Sequence, residues 1–350
     1  MDASYFRELV SGRRGGFAAG LVRSTLRLAE IPYSCVVRYR NDRYDRGQFA
    51  VHSVPVPVIS VGNLTLGGTG KTPLVAWLAD WFQRRNVRAT IISRGYGGRP
   101  GSPNDEAREL QQRLPDIPHI QNPDRLSAAK TAVSKYRSEI IILDDAFQHR
   151  RIGRDLDIVL LDAFEPFGYE HVFPRGMLRE PLCGLARADM VALSRADAIG
   201  ADDRAAIRRH VGTLAPDSFW TELTHAPREL VSATGDTANF EQLVHSNVAA
   251  FCGIGNPEGF RHTLQAAGFC VTAWRTFPDH HSYSQRDLRD LESWIAQIDS
   301  VQAVLCTQKD LVKLKQVEIA KRPLYALQID LHFQSGRPAL EERLVELLHR

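Results

Sequence analysis

From residue 56 onward the chain alternates short apolar runs with amphipathic stretches. Near-continuous apolar segments at 56–61 (VPVISV), 88–93 (RATIIS), 139–143 (EIIIL), 157–161 (DIVLL) and 189–193 (DMVAL) predict strands. A second set follows at 247–252, 269–275, 301–306 and 324–332. Apolar residues on successive rather than alternate positions belong to strands covered on both faces. That is the mark of a mainly parallel sheet between helical layers. Helical periodicity predicts helices at 72–85, 104–114, 124–136, 203–214, 257–267 and 284–298. Residues 218–232 (SFWTELTHAPRELVS) carry a proline and little periodicity, and read as an extended segment. They divide the chain into a larger domain at 41–217, a linker at 218–232 and a smaller C-terminal α/β domain at 233–350. The expected class is α/β, with two α/β/α sandwich domains and mainly parallel sheets.

Residues 1–40 differ. Over 17–31, at about 100° per residue, Phe17, Ala18, Leu21, Val22, Leu26, Leu28 and Ala29 share one half of a helical wheel. Arg23, Arg27 and Glu30 share the other, and arginine recurs at Arg7, Arg13, Arg14, Arg38 and Arg40. Such a helix either docks on its own domain or lies in a membrane interface, its basic side chains meeting anionic headgroups.

Composition narrows the classes. With 350 residues, 43% hydrophobic and 24% charged, the chain has material for one large or two ordinary domains. A net charge of +3 is too small to imply a nucleic-acid partner, and none is expected. Cys35, Cys183, Cys252, Cys270 and Cys306 are scattered without a CxxC pair. This argues against a zinc ribbon or disulfide framework and fits a reducing compartment. No apolar run approaches the roughly 20 residues needed to span a bilayer, and the N-terminus lacks the apolar core of a signal peptide.

The chemistry concentrates first in "VISVGNLTLGGTGKTP", where a strand ends, glycines follow and a helical pattern begins. A strict Walker A motif has glycine where this chain has Thr65. The mechanism survives the departure. Gly67, Gly68, Thr69 and Gly70 can turn successive backbone N–H groups inward, and the following helix adds its positive end. Lys71 then reaches the terminal phosphates and Thr72 offers a hydroxyl to Mg²⁺. Pro73 suits a first helical turn. The plain alternative is an ordinary glycine turn, which the strand before and the helix after disfavour. A second half-site is Asp144-Asp145 at the end of "IIILDD", where a P-loop enzyme holds its magnesium. Adjacent carboxylates repel, and a dication gives a reason for them.

Four further segments carry polar candidates: Arg94 and Tyr96 in "SRGYGG", Asp105 and Glu106 in "NDE", Arg179 and Glu180 in "LREPL", and Asp279, His280 and His281 in "FPDHHSY". Each has a plain alternative when taken alone. Asn104-Asp105-Glu106 reads as a helix cap with acids in the first turn. Arg179-Glu180 reads as a surface ion pair, and the histidines as a polar loop.

Taken together, "VISVGNLTLGGTGKTP", "ISRGYGG", "DDAFQHRR", "RDLDIVLLDA", "MLREPL", "LSRAD", "GIGNPEGF", "FPDHHSYSQRDL" and "CTQKDLVKL" occur in this order over about residues 50–315. In this ordered set the chain resembles the tetraacyldisaccharide 4'-kinase family. The resemblance implies transfer of the γ-phosphate of ATP, with Mg²⁺, to the 4'-hydroxyl of a tetraacylated glucosamine disaccharide 1-phosphate, giving lipid IV-A. It implies a peripheral enzyme on the cytoplasmic face of the bacterial inner membrane, with a P-loop NTPase-like N-terminal domain joined to a second domain by a two-stranded linker. By the same resemblance Lys71 and Thr72 serve phosphate and magnesium, and Asp144 and Asp145 form the acidic metal site. Asp105 is the catalytic base, supported by His280. Arg94, Tyr96, Glu106, Arg179 and Glu180 line the site, and Lys309-Asp310 sits near the nucleotide. The chain departs from the family's habit at Asn104, usually glycine, at Arg175, usually alanine, and in a shortened stretch between Arg94 and Asp105. The rival readings are a membrane-associated P-loop switch ATPase without a lipid acceptor, and a soluble small-molecule kinase or ligase. A switch ATPase of the deviant Walker type usually has lysine where this chain has Leu66.

Overall fold

The computed structural model describes residues 3–95 and 104–349. They cluster into two compact units: residues 3–95, 114–224 and 333–349 in the first, 104–113 and 225–332 in the second. Two long strands, Phe219–Val231 and Arg322–Ser335, carry the chain from one unit to the other and back. The first of them occupies the segment read from sequence as extended.

The first unit is built on seven parallel strands in the order His119–Gln121, Ala89–Ser93, Ile140–Asp144, Val58–Asn63, Leu156–Asp162, Met190–Ser194 and the start of Phe219–Val231. The apolar runs dictate this. Every residue of Val58–Asn63, Ile140–Asp144, Leu156–Asp162 and Met190–Ser194 is buried, so both faces of these strands are covered. Val61 pairs with Asp144, which puts the acid at the carboxyl end of the strand beside the glycine-rich loop. The helix Lys71–Gln83 is buried along most of its length, from Thr72 to Phe82. The C-terminal helix Arg337–Leu348, not anticipated from sequence, also belongs to this unit. Its Glu341 accepts a bond from the Trp81 indole at 3.3 Å.

The N-terminal region contains a short helix, Ala3–Val10, and a second of 29 residues, Phe17–Asp45. The amphipathic helix expected at 17–31 thus runs well past its expected end and through Pro32. Pro32 lies on the exposed side, where solvent can take the carbonyl that loses its N–H partner. The inner side of the helix is polar. The Glu30 carboxylate accepts bonds from the Val172 N–H at 2.8 Å and from His171 Nδ1 at 3.0 Å. Tyr33 donates to the Arg179 carbonyl at 3.3 Å, and Asn41 donates to Glu180 at 2.7 Å. Arg150 donates to the Asn41 carbonyl at 3.1 Å and to Asp45 at 2.6 Å. The outer side is apolar: Phe17 is 90% exposed, Leu28 70%, Leu21 61%, Tyr39 59% and Ile31 56%. At 100° per residue these five fall within an arc of about 80°. Leu26, placed from sequence with the apolar half, turns inward and is half-buried. Arg23 also turns in, donating to the Arg14 carbonyl at 2.7 Å.

The second unit has four parallel strands in the order Cys270–Thr276, Asn247–Cys252, Ala303–Cys306 and Arg322–Ser335. Two apolar cores flank them, one around Phe251, Leu291 and Leu324 and the other around Leu264, Phe269 and Leu305. The helix Asp105–Arg113, which by sequence position falls within 41–217, clusters with this unit. It lies against the helix Gln308–Leu314, and three polar contacts staple the two together. Asp105 pairs with Lys313 at 2.9 Å, Glu106 with Lys309 at 2.7 Å, and Gln308 donates to Gln112 at 3.0 Å.

Candidate active site

In the first unit the strand Val58–Asn63 delivers the chain into the glycine-rich loop. Gly62 passes so close to the 145–148 turn that an added Cβ would lie 2.5 Å from the Phe147 Cβ. Two backbone bonds of 2.6 Å moor the loop, Leu66 N–H to the Met177 carbonyl and Arg179 N–H to the Leu64 carbonyl. Gly67 and Gly70 have φ of +107° and +81°, the region that favours glycine. The helix then starts at Lys71 with Gly70 as its cap residue, which has no side chain to bond the first amides. Helix N-termini of this kind suit an anion.

Lys71 is held in place by its neighbours. Its ammonium donates to Asn63 Oδ1 at 3.2 Å and pairs with Asp145 Oδ1 at 3.2 Å. Asn63 is fully buried and also donates to the Thr65 carbonyl at 2.8 Å, so it braces loop and lysine together. Asp145 follows the strand-end Asp144 in a left-handed conformation, φ +52°. It accepts both Lys71 and a two-oxygen contact from Arg179 Nη1 at 2.8 and 3.0 Å. Burial pushes the Asp145 carboxyl up, but the Lys71 and Arg179 cations outweigh it and hold the carboxyl well below the usual range. Asp144 and Thr72 are buried. The oxygen donors Thr72, Asp144 and Asp145 are those a hard dication prefers, and Mg²⁺ takes only one or two carboxylates when it shares its shell with phosphates. The residues present therefore fit a magnesium–nucleotide group.

Two expected neighbours part company. Arg179 turns to Asp145, whereas Glu180 is wholly buried. Its carboxylate accepts bonds from Asn41 (2.7 Å), Gln148 (3.0 Å) and Arg187 (2.9 Å). Gln148 also donates to the Asn63 carbonyl at 2.9 Å, so this node ties the long N-terminal helix to the end of the loop strand. Arg94 is exposed. It shares an electrostatic neighbourhood with the buried Arg125: burial lowers the Arg125 guanidinium, the Asp145 and Asp144 charges support it, and Arg94 opposes it. Tyr96 lies outside the described residues.

The second unit carries Asp105. Asn104, the departure from the family's glycine, caps the helix by accepting the Ala107 N–H at 3.0 Å, and Asp105 becomes the first helical residue. His280 has φ +58° and its Nδ1 lies 3.4 Å from Asp105 Oδ2. Burial would raise the Asp105 carboxyl, but bonds from His280 and Lys313, with their charges, bring it to about 2. The His280 ring is raised by its bond to Asp105 against the cost of burial, with Asp279 adding to the rise. His281 turns elsewhere, stacking on Phe277 and pairing with Asp287 at 3.3 Å.

Glu106 pairs with Lys309, whose neighbour Asp310 is fully buried and accepts Tyr283, Thr307 and the Gly253 N–H. Both Lys309 and Asp310 belong to the second unit. Sequence reading gave no role to Asn63, Gln148, Arg125 or Lys313. For Lys313 a local signal existed: four residues after Lys309, it shares a helix face with it.

Comparison with known proteins agrees in one direction. The sequence profile described as tetraacyldisaccharide-1-P 4'-kinase matches residues 22–349. A protein named tetraacyldisaccharide 4'-kinase from Desulfatibacillum aliphaticivorans is 36% identical, with 91% of each chain covered. One of the same name from Anaeromyxobacter sp. (strain K) is 35% identical, covering 98% of this chain and 94% of its own length. Among solved structures, LpxK from Aquifex aeolicus in complex with ATP superposes with a TM-score of 0.72 at 28% identity, covering 93% of this chain and 99% of that one.

Proposed function

Because the chain belongs to the tetraacyldisaccharide-1-P 4'-kinase family, we propose that it transfers the γ-phosphate of ATP to the 4'-hydroxyl of a tetraacylated glucosamine disaccharide 1-phosphate, forming lipid IV-A in lipid A biosynthesis. The observation that carries this reading is the ionised Asp105 carboxylate, bonded to His280, in a chain whose glycine-rich loop is already built for a nucleotide. Phosphoryl transfer needs positioning and charge neutralisation more than covalent help. The roles divide accordingly. The amides at 67–72 and Lys71 bind the phosphate chain, and Arg179 adds charge beside them. Thr72, Asp144 and Asp145 would hold Mg²⁺, which neutralises charge on the transferring phosphoryl group when bound. Asp105 orients the acceptor hydroxyl and takes its proton late, and His280 fixes the carboxylate's geometry. Arg94 and Glu106 belong to the surroundings of these groups.

On the same reading the protein works as a peripheral enzyme on the cytoplasmic face of the inner membrane. The acceptor's acyl chains sit in a bilayer, and the helix Phe17–Asp45 is docked by its polar side with its apolar side outward. This orientation suits insertion at the headgroup boundary. No helix among the described residues is long and apolar enough to cross a membrane. The test is acceptor dependence. ATP consumption should rise many-fold on adding the tetraacyldisaccharide 1-phosphate in detergent micelles, whereas a switch ATPase would consume ATP at the same rate without it.

A further inference from the structure

Asp105 is gripped by two basic side chains, and only one of them has a role so far. His280 Nδ1 and Lys313 Nζ both reach the same oxygen, Oδ2, at 3.4 and 2.9 Å. Among the described residues Oδ1 has no bonding partner. The shorter of the two contacts is the lysine's, and Lys313 is the more deeply set of the two, its side chain 10% exposed against 39% for His280. Lys313 stands on the helix Gln308–Leu314, whose start is fixed by Thr307 accepting the Asp310 N–H and by the buried Asp310 bonded to Tyr283 and Gly253. Its ammonium is thus delivered from a rigid element, whereas the imidazole comes from a loop residue in a left-handed conformation.

We propose that Lys313 is a positioning residue for the acceptor-activating carboxylate: its ammonium pins Oδ2 of Asp105 and leaves Oδ1 to receive the acceptor hydroxyl. This rests on the reading of Asp105 as the base. The chemistry follows from the geometry. A carboxylate held at one oxygen by two donors cannot rotate about its Cβ–Cγ bond without breaking both contacts. Its basic lone pairs on the other oxygen therefore keep one direction. The groups facing Asp105 are His280 with Asp279 beside it, and Lys313 and Lys309 with Glu106 between the two helices. Removing Lys313 leaves one imidazole to orient the carboxylate and removes one of the two side chains that hold its carboxyl low. Lys313 itself touches no reacting atom.

A double-mutant cycle separates this role from simple support of the fold, because groups acting through one another are not additive. Lys313→Met in the parent should lower kcat by about 10- to 100-fold, the scale of a small misplacement of a catalytic group, with KM for ATP unchanged. In an Asp105→Asn background the same change should cost less than about twofold, since nothing remains for the ammonium to position. Lys313→Arg, which keeps a donor and a charge, should recover most of the loss. An equal loss in both backgrounds would overturn the proposal and make Lys313 a packing residue, as would a Lys313→Met enzyme with parental kcat. If Lys313→Met fails to fold, the Arg variant decides: a cost to kcat in the parent that persists undiminished in the Asn background refutes the role. Near-parental activity of Asp105→Asn alone would sink the base assignment itself, a different outcome from any of these.

Discussion

Lys71 Nζ stands 3.2 Å from Asp145 Oδ1, and Arg179 reaches the same oxygen at 2.8 Å. Two cations therefore crowd one carboxylate at the start of a helix capped by glycine. This surplus of positive charge and free donors is what a polyphosphate would take up. Lys71→Ala should abolish turnover through the loss of several kcal/mol of transition-state stabilisation, the scale of oxyanion clamps, and leave circular dichroism unchanged. Near-normal kcat in the variant would contradict the assignment.

The acidic pair makes a separate forecast. Asp144→Ala or Asp145→Ala removes an oxygen donor from the magnesium shell. Each variant should need more Mg²⁺ for half-maximal rate or lose activity outright. If both titrate with Mg²⁺ like the parent, the two carboxylates have no part in metal binding.

His280 gives a pH signature. Its ring is raised above 6.5 by the bond to Asp105. The stability it contributes is full below about pH 6.5 and is lost as pH climbs through the raised value. Asp105 behaves in the opposite sense: with its carboxyl lowered from 3.8 to about 2, its contribution is present above 3.8 and is lost as pH falls toward 2. Asp105→Asn should bring the His280 ring back toward its ordinary value, read by NMR titration of the imidazole, and should lower kcat by roughly 10²- to 10⁴-fold. An unmoved ring titration would show that the two side chains do not interact in solution.

The orientation of the long helix can be tested at its surface. Leu28→Ser with Ile31→Ser removes apolar area from the outward stripe while leaving Glu30, Tyr33 and Asn41 to dock the helix. The variant should sediment less with anionic vesicles than the parent and lose activity on acceptor in vesicles, with much less loss on acceptor in detergent. Equal vesicle binding by the two proteins would rule out this stripe as the membrane contact. Arg23 is the wrong residue for such a test, because its guanidinium is committed to the Arg14 carbonyl.

Glu180 should behave as a structural residue. It is fully buried with three partners, so Glu180→Ala strands the Arg187 cation and the Asn41 amide. A cost of about 3–5 kcal/mol is typical of breaking a buried pair, and thermal melting should show it. A parental melting curve with lost activity would instead put Glu180 in contact with substrate.

Much of this was legible in the sequence where one stretch carries the whole signal. The strands announced themselves because burial on both faces demands consecutive apolar residues. The glycine-rich loop was readable because positive φ favours glycine and the lysine follows directly. The reach of the N-terminal helix was not, since Pro32 looks like a stop and is tolerated only because it faces outward. The helix Arg337–Leu348 was overlooked although Leu340, Leu344 and Leu347 sit at helical spacing. Pairings such as Asp105 with Lys313 or Asn41 with Glu180 had no local trace: tertiary packing alone brings residues so far apart in the chain together. For the same reason nothing in the residues around Glu180 signals that it is buried.

Transfer to a lipid hydroxyl can be followed directly. The purified protein is incubated with γ-labelled ATP, Mg²⁺ and tetraacyldisaccharide 1-phosphate, and the lipid and aqueous phases are separated. Label should appear in the lipid as a new phosphate monoester at the 4' position, assigned by phosphorus–proton NMR of the product, and be absent with Lys71→Ala or Asp105→Asn. Label released only as inorganic phosphate, at a rate indifferent to the lipid, would contradict such transfer.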